Sequence, residues 1–151
     1  MSDLDTMPGH LIRRAQQAHQ ALFAEACGAF DLTSVQYAAL AAIRGNPDVD
    51  ATRLSALIAF DRSTIADVLA RLESKGWVLR HPSRKDRRVK LLRLSPDGTA
   101  LLEQVDPLVR EVQERLLAPL DPGDRDTLMR LLTRLVAVHG DALSVPLHAA
   151  E

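Results

Sequence analysis

The feature that most constrains this chain is residues 61–95, where one amphipathic helix precedes two short β-favouring runs joined by a basic turn. Asp61 or Ser63 can cap the start of the helix, because their side-chain oxygens accept hydrogen bonds from backbone N–H groups that lack partners. Gly76 is expected to end it. Apolar residues at helical spacing give the helix one buried face; they are Ile65, Leu69 and Leu72.

The two β-favouring runs, residues 77–79 and 89–94, are separated by the polar residues 81–88. Seven cations and one anion lie between Arg80 and Arg93, on a chain whose formal net charge is −1. This local excess of positive charge indicates a surface for a polyanion. A solvated charged turn is the alternative, but a helix followed by a basic hairpin is typical of winged helix-turn-helix proteins. In these the helix enters the major groove of DNA and the hairpin tip reaches an adjacent minor groove.

The composition indicates a mainly α-helical chain with a small β wing. A length of 151 residues allows one domain with a substantial core, and that core must be largely aliphatic because only 3% of residues are aromatic. No apolar run approaches the ~20 residues of a membrane span, and the acidic N-terminus is unlike a signal peptide. One cysteine excludes an internal disulfide. We therefore expect a cytoplasmic protein without a membrane partner.

Helical patterns flank the central unit on both sides. Ser95-Pro96 and Asp121-Pro122 are start signals for helices after the hairpin. The outer helices carry apolar faces wider than so small a centre can cover, which predicts a two-fold homodimer joined through both ends of the chain. Two recognition helices would then lie ~34–36 Å apart, about one turn of duplex. The flanking helices are expected over about 8–29, 33–44, 51–58, 96–118 and 122–139, with residues 1–7 and 140–151 irregular.

Three segments resemble the multiple-antibiotic-resistance regulator (MarR) family of bacterial repressors. They are residues 32–40, residues 63–76 and residues 86–98. The last is the most specific, because it joins an Asp-Arg-Arg turn and a return strand to Ser-Pro-Asp-Gly at the start of the next helix. The resemblance extends over about residues 8–139.

The resemblance implies a single MarR-type domain over residues 1–151. In it, a winged helix-turn-helix lobe at about 33–95 lies between dimerisation helices at about 8–29 and 96–139. It also implies a homodimer that binds a palindromic operator in double-stranded DNA. Small ligands are expected to bind between the dimerisation helices and the DNA-binding lobe.

The resemblance assigns DNA contacts to the start of the recognition helix and to the wing. Ser63 and Thr64 are expected to meet phosphates or base edges. Asp67 accepts from a cytosine amino group in one interpretation and pairs with Arg71 at i+4 in the other. Asp86 is expected to pair with a nearby arginine and to hold the shape of the wing. One wing arginine is expected in the minor groove and one on the backbone. The expected DNA-binding residues are Arg62, Ser63, Thr64, Asp67, Arg71, Arg84, Lys85, Arg87 and Arg88.

A polar cluster on the first helix is the candidate effector site. An arginine presents a planar fork that binds a carboxylate through two parallel hydrogen bonds, and a histidine beside it can bond a ring hydroxyl. Relatives that open with such a helix often sense aromatic acids, so the resemblance implies an aromatic or heteroaromatic carboxylate. Solvated arginines, or arginines paired across a dimer, are the alternative. The expected residues are His10, Arg13, Arg14, Gln17 and His19, with Gln36 and Tyr37 from the next helix. Tyr37 is equally compatible with a place in the core.

Two other functions are compatible with the sequence. One is a redox-sensing repressor that acts through Cys27, although no neighbouring cation in the sequence lowers the pKa of that thiol. The other is a protein-interaction scaffold that kept the winged helix, for which the basic hairpin has no use. The histidines show no zinc-binding spacing, and no phosphate loop or nucleophile elbow occurs. We therefore expect no metal, no cofactor and no enzymatic activity.

Overall fold

The computed structural model describes the backbone of residues 2–149 and the side chains of residues 2–139. Within that part of the chain, helices surround one small antiparallel sheet, which confirms the expected mainly α fold with a β wing. The elements are α1 (Pro8–Cys27), α2 (Ser34–Gly45), β1 (Val49–Asp50), α3 (Ala51–Ile58), α4 (Arg62–Ser74), β2 (Val78–Pro82), β3 (Lys90–Leu94), α5 (Pro96–Leu117) and α6 (Pro122–Ala149).

Five of the helices begin at a side-chain cap, and α6 is one of them, since Asp121 Oδ1 accepts from the Asp124 N–H at 2.8 Å. Thr33, Asp50, Asp61 and Ser95 each accept from the backbone N–H three residues further on, at 3.1, 2.8, 2.7 and 3.0 Å. Of the two candidate caps for the recognition helix α4, Asp61 is therefore the residue used. Caps of this kind satisfy donors that the helix cannot, which is why the helix starts lie within a residue or two of the predicted ones.

The sheet has the strand order β1-β3-β2, and both pairings are antiparallel. Strand β1 was not predicted, because two residues are too few to show a period; its Val49 lies opposite Leu92, and both are buried. Strand β2 continues to Pro82, which pairs with Lys90 instead of lying in the turn as expected. A proline is tolerated there because β2 is an edge strand.

One aliphatic core joins α1 and α5 to the central unit. Helix α4 buries Ile65, Leu69 and Leu72 completely, as their spacing predicted. Phe23 and Cys27 of α1 belong to the same cluster. Fully burying a leucine or isoleucine side chain contributes about 1.5–3 kcal/mol to the stability of the fold, relative to leaving it exposed. The buried contributions from α5 are Leu101, Leu102, Val105, Val109 and Val112.

The ends of the chain differ from the sequence-based expectation. Residues 3–6 form a 3-10 helix where we expected irregular chain, because the Ser2 backbone N–H is bonded to Asp5. Helix α1 is α-helical only to Cys27, and residues 28–30 continue as a 3-10 turn. Helix α6 extends to Ala149, ten residues beyond the expected end, because one glycine lowers helix stability by about 1 kcal/mol without ending the helix. The remainder of the expected tail, residues 150–151, lies outside the described residues.

The apolar faces of the outer helices are exposed within one protomer. Leu11 and Ile12 of α1 are 53% and 50% exposed, and Val136 and Val138 of α6 are 68% and 70% exposed. Exposed side chains of this size, gathered on two helices, are typical of a surface that a partner covers.

Across the described residues, no single helix is long and apolar enough to cross a membrane. Residues 8–30 and 34–45 pass that test only when taken together as a pair bent by 75°.

Candidate nucleic-acid interface and effector site

The start of α4 is organised around the carboxylate of Asp61. The Thr64 backbone N–H donates to it at 2.7 Å, the Ser63 hydroxyl at 2.9 Å and the Thr64 hydroxyl at 3.0 Å. These bonds lower the pKa of Asp61, so the cap is anionic at neutral pH. Both hydroxyl protons are thus engaged inside the protein. A contact from Ser63 or Thr64 to a phosphate requires the hydroxyl to rotate away from Asp61.

The outward face of α4 carries Arg62, Asp67 and Arg71, all exposed. Among the described residues no hydrogen bond or ion pair joins Asp67 to Arg71, so the pairing considered from the sequence does not form. A helical i,i+4 pair is worth only about 0.2–0.5 kcal/mol, too little to immobilise two exposed side chains. Asp67 therefore remains available for the other interpretation, acceptance from a base.

The tip of the wing is held by Asp86, as expected, and its partner is Arg88. The Arg88 Nε and Nη2 atoms each donate to this carboxylate at 3.1 Å, and the Arg88 backbone N–H donates at 3.1 Å. The Arg88 side chain is the first cause that lowers the pKa of Asp86. Across the turn the Ser83 N–H donates to the Val89 carbonyl at 2.8 Å. The turn therefore has a defined shape before any DNA is bound.

The base of the wing is fixed by ion pairs that the sequence did not reveal. Arg93 donates to both oxygens of Asp48, at 2.6 and 2.7 Å, and this pair lowers the pKa of Asp48. His81 Nε2 lies 3.2 Å from the same carboxylate, so its imidazole faces Asp48 instead of open solvent or phosphate. Arg80 pairs with Glu73 of α4 at 2.6 Å.

These ion pairs concentrate the positive charge at the tip of the wing. Seven cations and one anion between residues 80 and 93 leave six positive charges. Glu73 and Asp48, from outside the segment, neutralise two more of the cations and leave four. Within the described part of the chain, four exposed side chains lack an ion-pair partner: Arg84, Lys85, Arg87 and Lys90.

The candidate effector residues of α1 separate into two groups. Arg13, Arg14 and Gln17 are exposed, and Arg13 Nη2 lies 3.5 Å from His10 Nδ1. His19 is half-buried, and its ring centroid lies 6.2 Å from that of Phe23.

His19 is linked to Tyr37 through Phe23, whose ring centroid lies 5.9 Å from that of Tyr37. On its other side, His19 Nε2 lies 3.3 Å from the Nε2 amide nitrogen of Gln113. An amide nitrogen donates, so the imidazole Nε2 is the acceptor in this contact. The structure therefore brings two of the expected residues, His19 and Tyr37, to one place between α1, α2 and α5.

Tyr37 is bonded to two residues that the sequence analysis did not identify. The Tyr37 hydroxyl donates to Asp106 Oδ1 at 2.9 Å, and Arg44 Nη1 donates to Asp106 Oδ2 at 2.8 Å. Burial raises the pKa of Tyr37, and the bond to Asp106 raises it further. The Arg44 guanidinium lowers the pKa of Asp106. No sequence signal was available, since Asp106 lies 69 and 62 residues away from its two partners.

Gln36 does not belong with the other expected effector residues. It is only 4% exposed, and its Oε1 accepts from the Thr33 backbone N–H at 3.2 Å and from Lys75 Nζ at 3.3 Å. Its amide completes the cap of α2 and ties that helix to the end of α4. Gln36 and Tyr37 are neighbours on α2, and neighbouring residues on a helix point in different directions.

Cys27 is completely buried, and burial raises the pKa of its thiol. Less thiolate at neutral pH means lower reactivity toward oxidants, so its surroundings disfavour the redox alternative. Within the described residues no group of three or more histidine, cysteine or acidic side chains is arranged to hold a metal ion.

Comparisons with known proteins agree with this geometry. A model of the MarR family matches residues 32–90. The chain is 31% identical over 134 residues to the HTH-type transcriptional repressor NicR of Pseudomonas putida, which spans 89% of this chain and 85% of the relative.

Two solved structures are also similar. One is a cysteine-to-serine mutant of MarR from Escherichia coli complexed with operator DNA, with 32% identity and a TM-score of 0.82 over 89% of this chain and 99% of that chain. The other is a structure of BpsR from Bordetella bronchiseptica, whose DNA binding is regulated by 6-hydroxynicotinic acid. Its identity to this chain is 29% and its TM-score 0.84, over 89% of this chain and 96% of that chain.

Proposed function

Because the chain belongs to the MarR family of winged helix-turn-helix transcriptional regulators, we propose that it represses transcription from a palindromic operator. We further propose that a small aromatic or heteroaromatic carboxylate releases it. The observation that carries the DNA-binding part is the wing tip, where a turn fixed by Asp86 presents exposed cations that no carboxylate neutralises within the described residues.

In this proposal the protein binds the palindromic operator as a homodimer. The exposed apolar faces of α1 and α6 are the surfaces that a second copy would cover. Two copies related by a two-fold axis place two α4 helices and two wings on one side of the assembly. This arrangement supports a division of labour in which the outer helices, about 8–29 and 96–139, dimerise and residues 33–95 bind DNA.

The relatives support the effector class. NicR is named as a repressor, and DNA binding by BpsR is regulated by 6-hydroxynicotinic acid, a heteroaromatic carboxylate. In this chain Arg13 and Arg14 supply exposed guanidinium groups for the carboxylate. His19 and Tyr37 supply polar groups beside the aromatic ring of Phe23.

Release follows if the effector binds one arrangement of the lobes better than another. Tyr37 and Arg44 belong to α2, in the DNA-binding lobe, whereas Asp106 belongs to α5. An effector that contacts α1 and Tyr37 therefore acts on the contact between the lobe and the outer helices. DNA affinity then falls by no more than the ratio of the effector's affinities for the two arrangements.

Operator binding is tested by fluorescence anisotropy with duplex from the region upstream of the protein's own coding sequence. Replacing Arg84 and Arg87 together by alanine should weaken binding and reduce the magnitude of the slope of log K against log salt by about 4, because two arginines are lost from each protomer of the dimer. Arg130→Ala removes an exposed arginine of α6, away from the wing, and should leave the slope unchanged. An unaltered slope in the double variant contradicts the proposed role of the wing.

The effector class is tested by a thermal-shift screen of aromatic carboxylates, followed by operator release with each compound that raises Tm. Arg14→Ala should abolish the response to the effector while operator binding is retained. A response that survives in Arg14→Ala removes this arginine from the site. A screen in which no aromatic carboxylate raises Tm contradicts the proposed effector class.

A further inference from the structure

The hydroxyl of Tyr37 has only one proton, and that proton is used in a hydrogen bond within the protein. It is donated to Asp106 Oδ1 at 2.9 Å, and an ionised carboxylate accepts without being able to donate in return. The guanidinium of Arg44 keeps Asp106 ionised through bonds of 2.8 and 3.4 Å. Any further partner of the Tyr37 oxygen must therefore supply its own proton.

We propose that Asp106 is a positioning residue that makes Tyr37 a hydrogen-bond acceptor toward the effector. The inference rests on the proposed function, and it narrows the effector to an aromatic carboxylate that also bears a hydrogen-bond donor. A ring hydroxyl, an amino group or a protonated ring nitrogen meets this requirement. An ether oxygen or a halogen at the same place does not.

The preference for donor-bearing effectors depends on the burial of Tyr37 and on the direction of its hydrogen bond. A phenol that donates to a carboxylate becomes a better acceptor, because hydrogen bonds in a chain polarise one another. An effector that places a lone pair against the Tyr37 oxygen leaves two acceptors facing each other without a proton. Sites built around a hydrogen bond reject analogues that lack the partner more strongly than apolar pockets reject a missing methylene. Tyr37 is half-buried, so we expect a preference of at least roughly tenfold, below the largest values that such sites reach.

The experiment uses isothermal titration of the full-length protein with benzoates substituted at the meta or para position. The hydroxy and amino substituents each carry a hydrogen-bond donor. The fluoro substituent, which is smaller, and the methoxy substituent, which is larger, carry none. At one of the two ring positions, we expect the hydroxy and amino compounds to bind at least about tenfold tighter than the fluoro and methoxy compounds. Equal affinities for the four substituents overturn the inference.

Three variants separate hydrogen-bond polarity from simple bracing of the helices. Tyr37→Phe removes the acceptor, and the preference should fall to near one. Asp106→Ala leaves the Tyr37 proton without its carboxylate, so the fluoro and methoxy compounds should lose most of their disadvantage. Arg44→Gln breaks the same inter-helix ion pair but leaves the carboxylate to which Tyr37 donates, and the preference should persist. If Arg44→Gln and Asp106→Ala lose it equally, Asp106 acts as a brace and the inference is wrong.

The wild-type protein offers a second measurement, because Tyr37 is its only tyrosine. The Raman doublet of a phenol ring distinguishes a strong proton donor from an acceptor, and the unliganded protein should show the donor form. An acceptor signature overturns the inference even if the Asp106 variant fails to fold. If no benzoate binds at all, the proposed effector class fails and this inference fails with it. Tight binding without preference removes the inference alone.

Discussion

Gly98 packs directly against the backbone of Trp77. A Cβ atom added at Gly98 would lie 3.0 Å from the Trp77 carbonyl carbon and closer still to its oxygen. The same carbonyl accepts from the Ser95 N–H at 3.0 Å, and Ser95 Oγ accepts from the Gly98 N–H at 3.0 Å. The Ser-Pro-Asp-Gly sequence at the start of α5 is thus a cap whose last residue must lack a side chain.

Gly98→Ala should therefore lower the free energy of unfolding by about 1–3 kcal/mol, the usual range for overpacking against a neighbour that cannot move. Gly9→Ala is the control, since an added Cβ there meets nothing within 4 Å. It should be neutral or should stabilise by up to about 1 kcal/mol. Urea unfolding at one protein concentration measures both, because the apparent stability of a dimer depends on concentration. Equal stabilities of the two variants contradict the packing argument.

Asp61→Asn should tighten DNA binding by a few-fold. The anionic carboxylate of Asp61 holds the hydroxyl protons of Ser63 and Thr64 at the end of α4 where DNA is expected. An asparagine oxygen can still cap the helix, so the substitution removes a charge that repels phosphates without removing the cap. Asp61→Ala, which loses both, should lower Tm as well. Anisotropy with the upstream duplex and a melting curve distinguish the two effects, and weaker binding by Asp61→Asn contradicts the prediction.

The pKa of Tyr37 should exceed its ordinary value of 10.0, because burial and the bond to Asp106 both favour the protonated phenol. The stabilisation that results is fully present below the ordinary pKa and is lost as the pH rises through the higher folded-state value. The absorbance of tyrosinate reports this titration for one residue, since the chain has a single tyrosine. In Asp106→Ala the midpoint should move back toward 10. A midpoint at or below the ordinary value in the wild-type protein would show that the bond is not formed in solution.

Peroxide should not release DNA through Cys27. The thiol is completely buried, and its pKa is raised. Its reaction with a thiol reagent should be at least roughly tenfold slower in the folded protein than in urea. Operator binding after peroxide treatment should be the same for the wild-type protein and for Cys27→Ala. Release that occurs only when Cys27 is present would restore the redox alternative.

Local features of the fold could be predicted from the sequence because they depend on residues close together in the chain. The spacing of Ile65, Leu69 and Leu72 placed the buried face of α4, and each of them is fully buried. Side-chain caps act over three residues, so the helix starts were nearly correct. The pairing of Asp86 with a wing arginine spans two residues and was also expected.

Features that join distant parts of the chain could not be predicted in this way. Strand β1 exists only because β3 pairs with it, and its two residues carry no pattern of their own. Of the expected effector residues, Gln36 is buried in the cap of α2 and accepts from Lys75, 39 residues further along the chain.

The sequence by itself determined the order of the helices, the basic hairpin and the buried face of the recognition helix, because periodicity, caps and charge are properties of neighbouring residues. The tertiary structure alone decided which cations of the wing remain unpaired and which residues surround Tyr37. The Arg44–Asp106 pair and the Asp48–Arg93 pair each span more than forty residues. Such contacts form only when packing of the core brings their helices and strands together, and no local pattern records them.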